Sequence, residues 1–378
     1  MVTRSGFKRR RWRRREGGGL RDRAFRQVAS RRFARPRCAD PCRRSASPGA
    51  FGFDEWVSVT NFFDRDPLML RGGRIEEFQG DSSEIAVAEA SKFLERHREQ
   101  GKPLFAVVWF GSPHSPFQAS PEDRKQFAQL DAGSANHYGE LVALDRAVGA
   151  LCNKLRELKL ADDTLLVFCS DNGGLGGIEP KTVGELRGNK GNVYEGGLRV
   201  PGIIEWPAVI RPRVTDYPAS TMDLFPTVVD VLNLPADVLT QPVDGISLRP
   251  LFTKEIARRE KPIPFRYQGQ AAWIDNQYKL LSPSLKQGQF ELYDLASDPS
   301  ETKDLAETKP EVFERLHGEF TAWNESVERS FAGKDYPEGR VEPADPKPIS
   351  WTESPAYQPY LDTWRKRPEY RRSTGRTE

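Results

Sequence analysis

A carboxylate and an amide stand side by side at Asp171 and Asn172. They directly follow the apolar run Thr-Leu-Leu-Val-Phe-Cys-Ser at 164–170 and precede two glycines. A carboxylate and an amide carbonyl are hard oxygen donors of the kind that Ca²⁺ or, second to it, Mg²⁺ takes. On its own the Asn-Gly step is equally a turn signal. Two further residues shift that balance. His114 lies between prolines in Gly-Ser-Pro-His-Ser-Pro at 111–116, and Lys190 lies in Gly-Asn-Lys-Gly at 188–191. Taken singly, His114 reads as a surface turn residue and Lys190 as a solvated loop charge. Taken together, an imidazole, an ammonium and two metal oxygens can handle an anionic ester beside a divalent cation.

Such residues need strands and loops to place them. The run at 164–170 fits a buried parallel strand whose carboxyl end opens into a loop, where ligands collect in α/β sheets. A second apolar run, 104–110, ends at the His114 turn. Helical spacing of Ala86, Val87, Ala90, Phe93 and Leu94 predicts a helix over 83–100. Leu141, Leu144, Val148, Leu151 and Leu155 predict another, broken by Asp162 and Asp163. The order helix–strand–helix–strand predicts an α/β fold with a mostly parallel central sheet flanked by helices. After Asn172 a polar, glycine-rich loop runs to Arg199, followed by a short strand at Ile203 and Ile204 and a helix over 221–232. Long loops of this kind inside compact domains are usually functional. Beyond about residue 244, short β-rich segments at 270–274, 277–281 and 289–294 predict a small antiparallel sheet, with a helix over 310–325 packed on it.

Charge is distributed unevenly. Residues 1–45 hold 17 Lys and Arg against three acids, which leaves 40 bases and 51 acids in the rest, a net of −11. The basic segment has no apolar periodicity, the signature of disorder or of an arm for anionic surfaces. Cys38, Cys42, Cys152 and Cys169 form neither a disulfide framework nor a zinc signature. Cys152, in a helix pattern, and Cys169, in the strand, read as core thiols. No apolar run approaches the roughly 18 residues that span a membrane. The expected organisation is a basic segment, 1–50, an α/β domain, 51–243, a small α+β subdomain, 244–327, and an extended tail, 328–378.

Several words of this text resemble the sulfatase family of the alkaline-phosphatase-like superfamily. They are Gly-Ser-Pro-His-Ser-Pro at 111–116, Ser-Asp-Asn-Gly-Gly at 170–174, Gly-Asn-Lys-Gly at 188–191 and Tyr-Glu-Gly-Gly-Leu-Arg-Val-Pro at 194–201. Met-Asp-Leu-Phe-Pro-Thr at 222–227, Asp-Gly-Ile-Ser-Leu at 244–248 and Glu-Leu-Tyr-Asp-Leu-Ala-Ser-Asp-Pro-Ser-Glu at 291–301 add to the match, which covers about 51–325. The pattern is most similar to bacterial arylsulfatases and the hexosamine-6-sulfate branch. The resemblance implies that Asp171 and Asn172 are two of the Ca²⁺ ligands. It implies that His114 and Lys190 bind the sulfate oxygens and assist the leaving group, and that Glu195 and Arg199 scaffold the loop. It also implies a sulfated small molecule or glycan as substrate, with no membrane partner and nucleic acid disfavoured, in a family that is usually exported.

The family's Cys/Ser-x-Pro-x-Arg word, whose first residue becomes the formylglycine nucleophile, does not occur in the 378 residues. Cys38-Ala-Asp-Pro has a different spacing, and no apolar strand ending in paired aspartates precedes Phe51. Family text that begins near residue 51 after aperiodic, arginine-dense text suggests a truncated or misassigned start, as a shifted reading frame would produce. Two alternatives stand beside the sulfatase reading. One is a phosphate or phosphonate monoester hydrolase of the same superfamily, although zinc-type sites need more ligands than His97, His114, His137 and His317 readily supply. The other is a non-catalytic domain that binds anionic polymers through residues 1–45.

Overall fold

Three polar side chains set where the first helices begin. In the computed structural model, Asp81 accepts the Ser83 amide at 2.8 Å and opens α1, Ser82–His97. Ser120 caps α2, Pro121–Lys125, and Asp131 accepts from the Gly133 and Ser134 amides to open α3, Ala132–Glu157. Each cap satisfies amides that a first helical turn leaves without partners. The structure describes residues 2–3, 37–38, 48–59, 65–239, 242–334, 349–350, 353 and 355–367. Most of the basic 1–50 segment, Cys42 and much of the 328–378 tail lie outside these. The described residues divide into two compact units. Of the described residues, one unit holds those within 31–161, 178–180 and 343–378, and the other those within 1–30, 162–177 and 181–342.

In the first unit, Arg146 of α3 ties α1 and α2 to it, through Glu84 at 2.6 Å and Asp123 at 2.9 Å. The buried face of α3 is Ala143, Ala147, Leu151 and Leu155, while the predicted Leu141, Leu144 and Val148 lie beside it, half-buried. Small alanines allow α1 to approach closely, so they hold the centre of the seam. A meander not foreseen from the sequence precedes α1: β1, Val57–Ser58, β2, Leu68–Arg71, and β3, Arg74–Glu77. Gly72 and Gly73 turn β2 into β3 with φ of +57° and +91°, which two-residue hairpins of this hand require. Leu68 and Leu70 of β2 pack on Tyr357, the N-cap of the short helix Gln358–Trp364, and on Leu361 and Trp364 within it. Extended chain is the sequence expectation there. The helix forms because those three side chains, at i, i+4 and i+7, make an apolar stripe that the surrounding prolines and charges disguise.

Residues 104–110 form no strand in the structure, with Leu104 buried and Phe105, Val107 and Trp109 exposed, Trp109 at 87%. A strand buried on both faces is the expectation for this run, and the structure shows a two-sided alternation instead. All ladders among the described residues are antiparallel, so a parallel pairing of 104–110 with 164–170 is not among them.

In the second unit β4, Thr164–Cys169, pairs with β5, Gly202–Glu205, in the register Leu166 to Glu205 and Cys169 to Gly202. Burial falls along β4, from Thr164 and Leu165 inside to an exposed Cys169, so Cys169 is not the core thiol expected, and Cys152 is half-buried. A one-turn helix, α4, Glu195–Leu198, closes the long loop. Helix α5, Leu224–Val231, carries Pro226 in its first turn, where its missing N–H costs nothing. Four strands then form the C-terminal sheet: β6, Ile263–Tyr267, β7, Gln270–Asp275, β8, Tyr278–Ser284, and β9, Gln289–Asp294, side by side in that order. Helix α6, Pro310–Phe331, lays Leu316 and Phe320 on Ala271, Trp273, Leu280 and Leu292 of this sheet. Among the described residues no helix is long and apolar enough to cross a membrane.

Candidate active site

The loop that leaves β4 is held by backbone against backbone. The Gly173 amide donates to Gly197 O at 2.9 Å, the Lys190 amide to Gly174 O at 2.7 Å and the Gly196 amide to Arg187 O at 2.8 Å. Glycine is demanded here by space. A Cβ on Gly173 would stand 2.0 Å from Gly196 O, and one on Gly197 would stand 2.2 Å from Asn192 O. Three chain segments are thereby drawn together, so that Asp171, Asn172 and Lys190 belong to one loop cluster. Asp171 is exposed, while Asn172 and Lys190 are half-buried. The Asn172 Nδ2 donates to Gly173 O at 3.0 Å, which leaves the amide oxygen as the acceptor.

Behind this cluster lies a buried charge network that connects it to the C-terminal sheet. Lys279 of β8 is 0% exposed and meets Glu195 Oε1 at 2.9 Å and Glu301 Oε1 at 2.8 Å. The Glu195 amide donates to Glu301 Oε2 at 2.6 Å. Burial pushes the Glu301 carboxyl up, opposed by Lys279. Beside it the Arg187 guanidinium lies 4.0 Å over the Tyr194 ring and donates to the Tyr293 hydroxyl and to Glu301 O. Tyr194 and Tyr293 both donate to Glu291 Oε2, at 2.9 and 2.7 Å. Burial pushes Tyr194 up to about 12, with Glu291 adding to the shift, and raises Tyr293 for the same reasons. Both phenols therefore stay neutral donors, and the loop bearing Lys190 is braced on Val193, which packs on Ala272 and Leu281.

His114 is held differently, within the first unit. Its amide donates to Gly111 O at 3.1 Å and its Nδ1 lies 2.8 Å from Ser115 O, between cis bonds at Pro113 and Pro116. A carbonyl only accepts, so Nδ1 carries the proton and Nε2 is the nitrogen that can gain or lose one. In the same unit His137 is buried edge-on to Phe117 at 5.1 Å, and that burial holds its pKa below the ordinary imidazole value. His137 is thus a core residue.

A family model described as Sulfatase matches residues 32–234, more than half of the chain. The chain belongs to the sulfatase family. A second model, described as N-sulphoglucosamine sulphohydrolase, C-terminal, matches 188–325 of the sulfatase chain. The first match reaches upstream of residue 51, where the sequence resemblance starts. The N-acetylgalactosamine-6-O-sulfatase of Bacteroides thetaiotaomicron is 29% identical over 262 residues, covering 62% of this chain and 50% of that protein. Human steryl-sulfatase is 37% identical over 192 residues, covering 47% of this chain and 31% of that protein. The chain thus spans about half the length, or less, of these curated relatives. The crystal structure of Ps i-CgsB superposes with a TM-score of 0.66 at 24% identity, over 86% of this chain and 76% of that one. The fold of this sulfatase is accordingly alkaline-phosphatase-like, with a small antiparallel C-terminal sheet.

Within the sulfatase chain, Asp171 and Asn172 suit a hard cation in kind, one charged and one neutral oxygen. They do not suffice in number, because Ca²⁺ takes roughly 6–8 oxygens. No group of three or more His, Cys, Asp and Glu side chains able to hold a metal occurs among the described residues. Sequence reasoning did not find Lys279 or Arg187. Glu291, Tyr293 and Glu301 stand in the quoted 291–301 word, but nothing in that word announces that they brace a loop about a hundred residues upstream.

Proposed function

We propose that the protein is a sulfuric ester hydrolase acting on a sulfate monoester of a sugar or an aryl alcohol. The observation that supports this best is the interlocked loop pair in which the Lys190 amide reaches Gly174 O, two residues past Asn172. That bond holds an ammonium-bearing loop against a hard-oxygen pair at a strand end. In this reading Asp171 and Asn172 are two ligands of a Ca²⁺ ion, which when bound supplies positive charge beside the sulfate oxygens. Lys190 binds a sulfate oxygen and draws off the negative charge that grows there during S–O cleavage. In its imidazolium form His114 would keep Nδ1–H on Ser115 O and give the Nε2 proton to the leaving oxygen, ending as the neutral Nδ1–H tautomer. Glu195 and Arg199 scaffold the loop. No nucleophile is assigned among the described residues; in this family formylglycine supplies it. The domain division at 51–243 and 244–327 belongs to the same proposal. The names of the relatives, among them hexosamine-6-sulfatases and a steryl-sulfatase, favour a sulfated sugar or fused-ring alcohol.

The test is release of 4-nitrophenol from 4-nitrophenyl sulfate by the purified chain with Ca²⁺. Turnover that falls by about 10²–10³ in Lys190→Ala, the loss seen when one oxyanion donor is removed, is the expected result. Absence of turnover, or turnover indifferent to both Lys190→Ala and Asp171→Ala, overturns the assignment for this polypeptide.

A further inference from the structure

A second concave site lies on the C-terminal sheet and its helix. It is a solvent-open cavity of about 620 Å³ lined by Arg258, Arg259, Glu260, Trp273, Asp275, Arg315, Glu319 and Trp323 among others, within the size range of small-ligand sites. Its polar wall is built before any ligand arrives. Asp275 is buried and accepts from Arg315 at 2.9 Å and from Arg258 at 3.2 Å. Arg315 also meets Glu319 Oε1 at 3.0 Å, and the Trp273 indole N–H donates to Glu319 Oε2 at 3.2 Å. Trp323 stands at 5.8 Å from Trp273, tilted by 48°.

The lining chooses between ligand classes. Arg259 is buried on Asp223, so the charges left to meet a guest are Arg258 and Arg315 against Glu260, Asp275 and Glu319, and a polyanion gains no net attraction. These charged groups make an apolar guest equally poor, since burying them against it would strand their hydrogen bonds. What fits is a ring with one apolar face and a rim of hydroxyls, each both donor and acceptor. Carboxylates accept from such hydroxyls, guanidinium groups donate to them, and an indole takes the C–H face. A wall already fixed by its own ion pairs adds little ordering cost on binding. We propose that this cavity binds one pyranose ring of a glycan, on Trp323 and the row Asp275, Arg315 and Glu319. It is separate from the Asp171–Lys190 loop cluster and does not depend on the sulfatase reading.

The test is retention of the full chain on an array of neutral and sulfated oligosaccharides, followed by calorimetric titration of the best ligand. Trp323→Leu, which keeps an apolar side chain under the ring, and Arg258→Ala, at the exposed rim, are each expected to weaken binding about tenfold, as loss of an interface anchor does. Melting temperatures accompany both variants, and if Trp323→Leu does not fold, Arg258→Ala decides. Binding is expected to survive Lys190→Ala. Retention of no glycan, wild-type affinity in the folded variants, or retention that follows sulfate number alone would overturn the proposal. Loss of binding in Lys190→Ala would also overturn it, by moving the glycan to the loop cluster while leaving the sulfatase reading intact.

Discussion

The two loops that carry the candidate chemistry are held by opposite means. Around His114 local constraints stand out: prolines on both sides, an amide bond to Gly111 O and a ring nitrogen against Ser115 O. Around Lys190 it comes from far along the chain, through glycines packed on backbone and a buried Lys279 that joins Glu195 to Glu301. A locally held residue can be replaced with little effect on the fold. A residue in the second loop is coupled to a whole sheet, and replacing its supports should cost stability first and chemistry as a consequence.

The strongest way to break that contrast is Lys279→Met. Removing one partner of a buried ion cluster leaves the carboxylates of Glu195 and Glu301 uncompensated, and such changes cost about 3–5 kcal/mol. Denaturant melts should show that loss, and a change below about 1 kcal/mol would mean the network does not brace the loop. Gly173→Ala should come next. Its methyl would meet the Gly196 carbonyl at 2.0 Å, so backbone must move, at a cost of about 1–3 kcal/mol for overpacking. Since Asn172 is the neighbouring residue, turnover of 4-nitrophenyl sulfate should fall with it. A variant that keeps both wild-type stability and wild-type turnover would show that the two loops can separate freely.

Acid should act with opposite sign on two clusters, the arginine-paired Asp123 and Glu89 of the first unit and the buried Glu301 of the second. The Arg146 guanidinium holds Asp123 below its ordinary range, and Arg71 does the same for Glu89. A depressed carboxylate contributes stability that is present above its unfolded value and is lost as pH falls through the folded one. The contacts that Arg146 and Arg71 make should therefore loosen as pH drops below about 4, the ordinary carboxylate range. Glu301 is raised by burial, so what it contributes is present at low pH and is lost as pH rises through its raised value. Hydrogen exchange from pH 7 downward, followed in peptides 121–157 and 270–301, would show the first set losing protection earlier. Simultaneous loss in both would remove the distinction.

The difference between the loops also explains what could be read from the sequence. Helices α1 and α3, three of the four C-terminal strands and the words around Asp171, Lys190 and His114 are local patterns, visible in a short window. Lys279 is not. It stands in Tyr-Lys-Leu-Leu, where an alternating strand would turn it to solvent. In the structure β8 is buried on both faces and the lysine finds a carboxylate 84 positions away. The bidentate pair between Arg259 and Asp223, at 2.7 and 2.8 Å and wholly buried, is hidden for the same reason. Burial of a charge depends on partners that no local window contains. The helix at Gln358–Trp364 was obscured differently, by prolines and charges that outweigh three aromatic and leucine side chains in composition but not in packing.

His114→Ala should have the smallest effect on folding and so sharpens the comparison most. The ring is half-buried, and its Nδ1 lies against the carbonyl of the next residue, so the bond that its removal breaks there is a local one. Stability should stay within about 0.5 kcal/mol of wild type, as for most substitutions outside the core. Turnover, in contrast, should fall by about 10²–10⁴ if Nε2 delivers the proton to the leaving oxygen, the range of a positioned general acid. That split between stability and rate is the reverse of the one expected for Lys279→Met. A substrate with a better leaving group should narrow the loss, because an alkoxide of low basicity needs no proton at departure. A large destabilisation in His114→Ala would show that the first loop is braced as widely as the second.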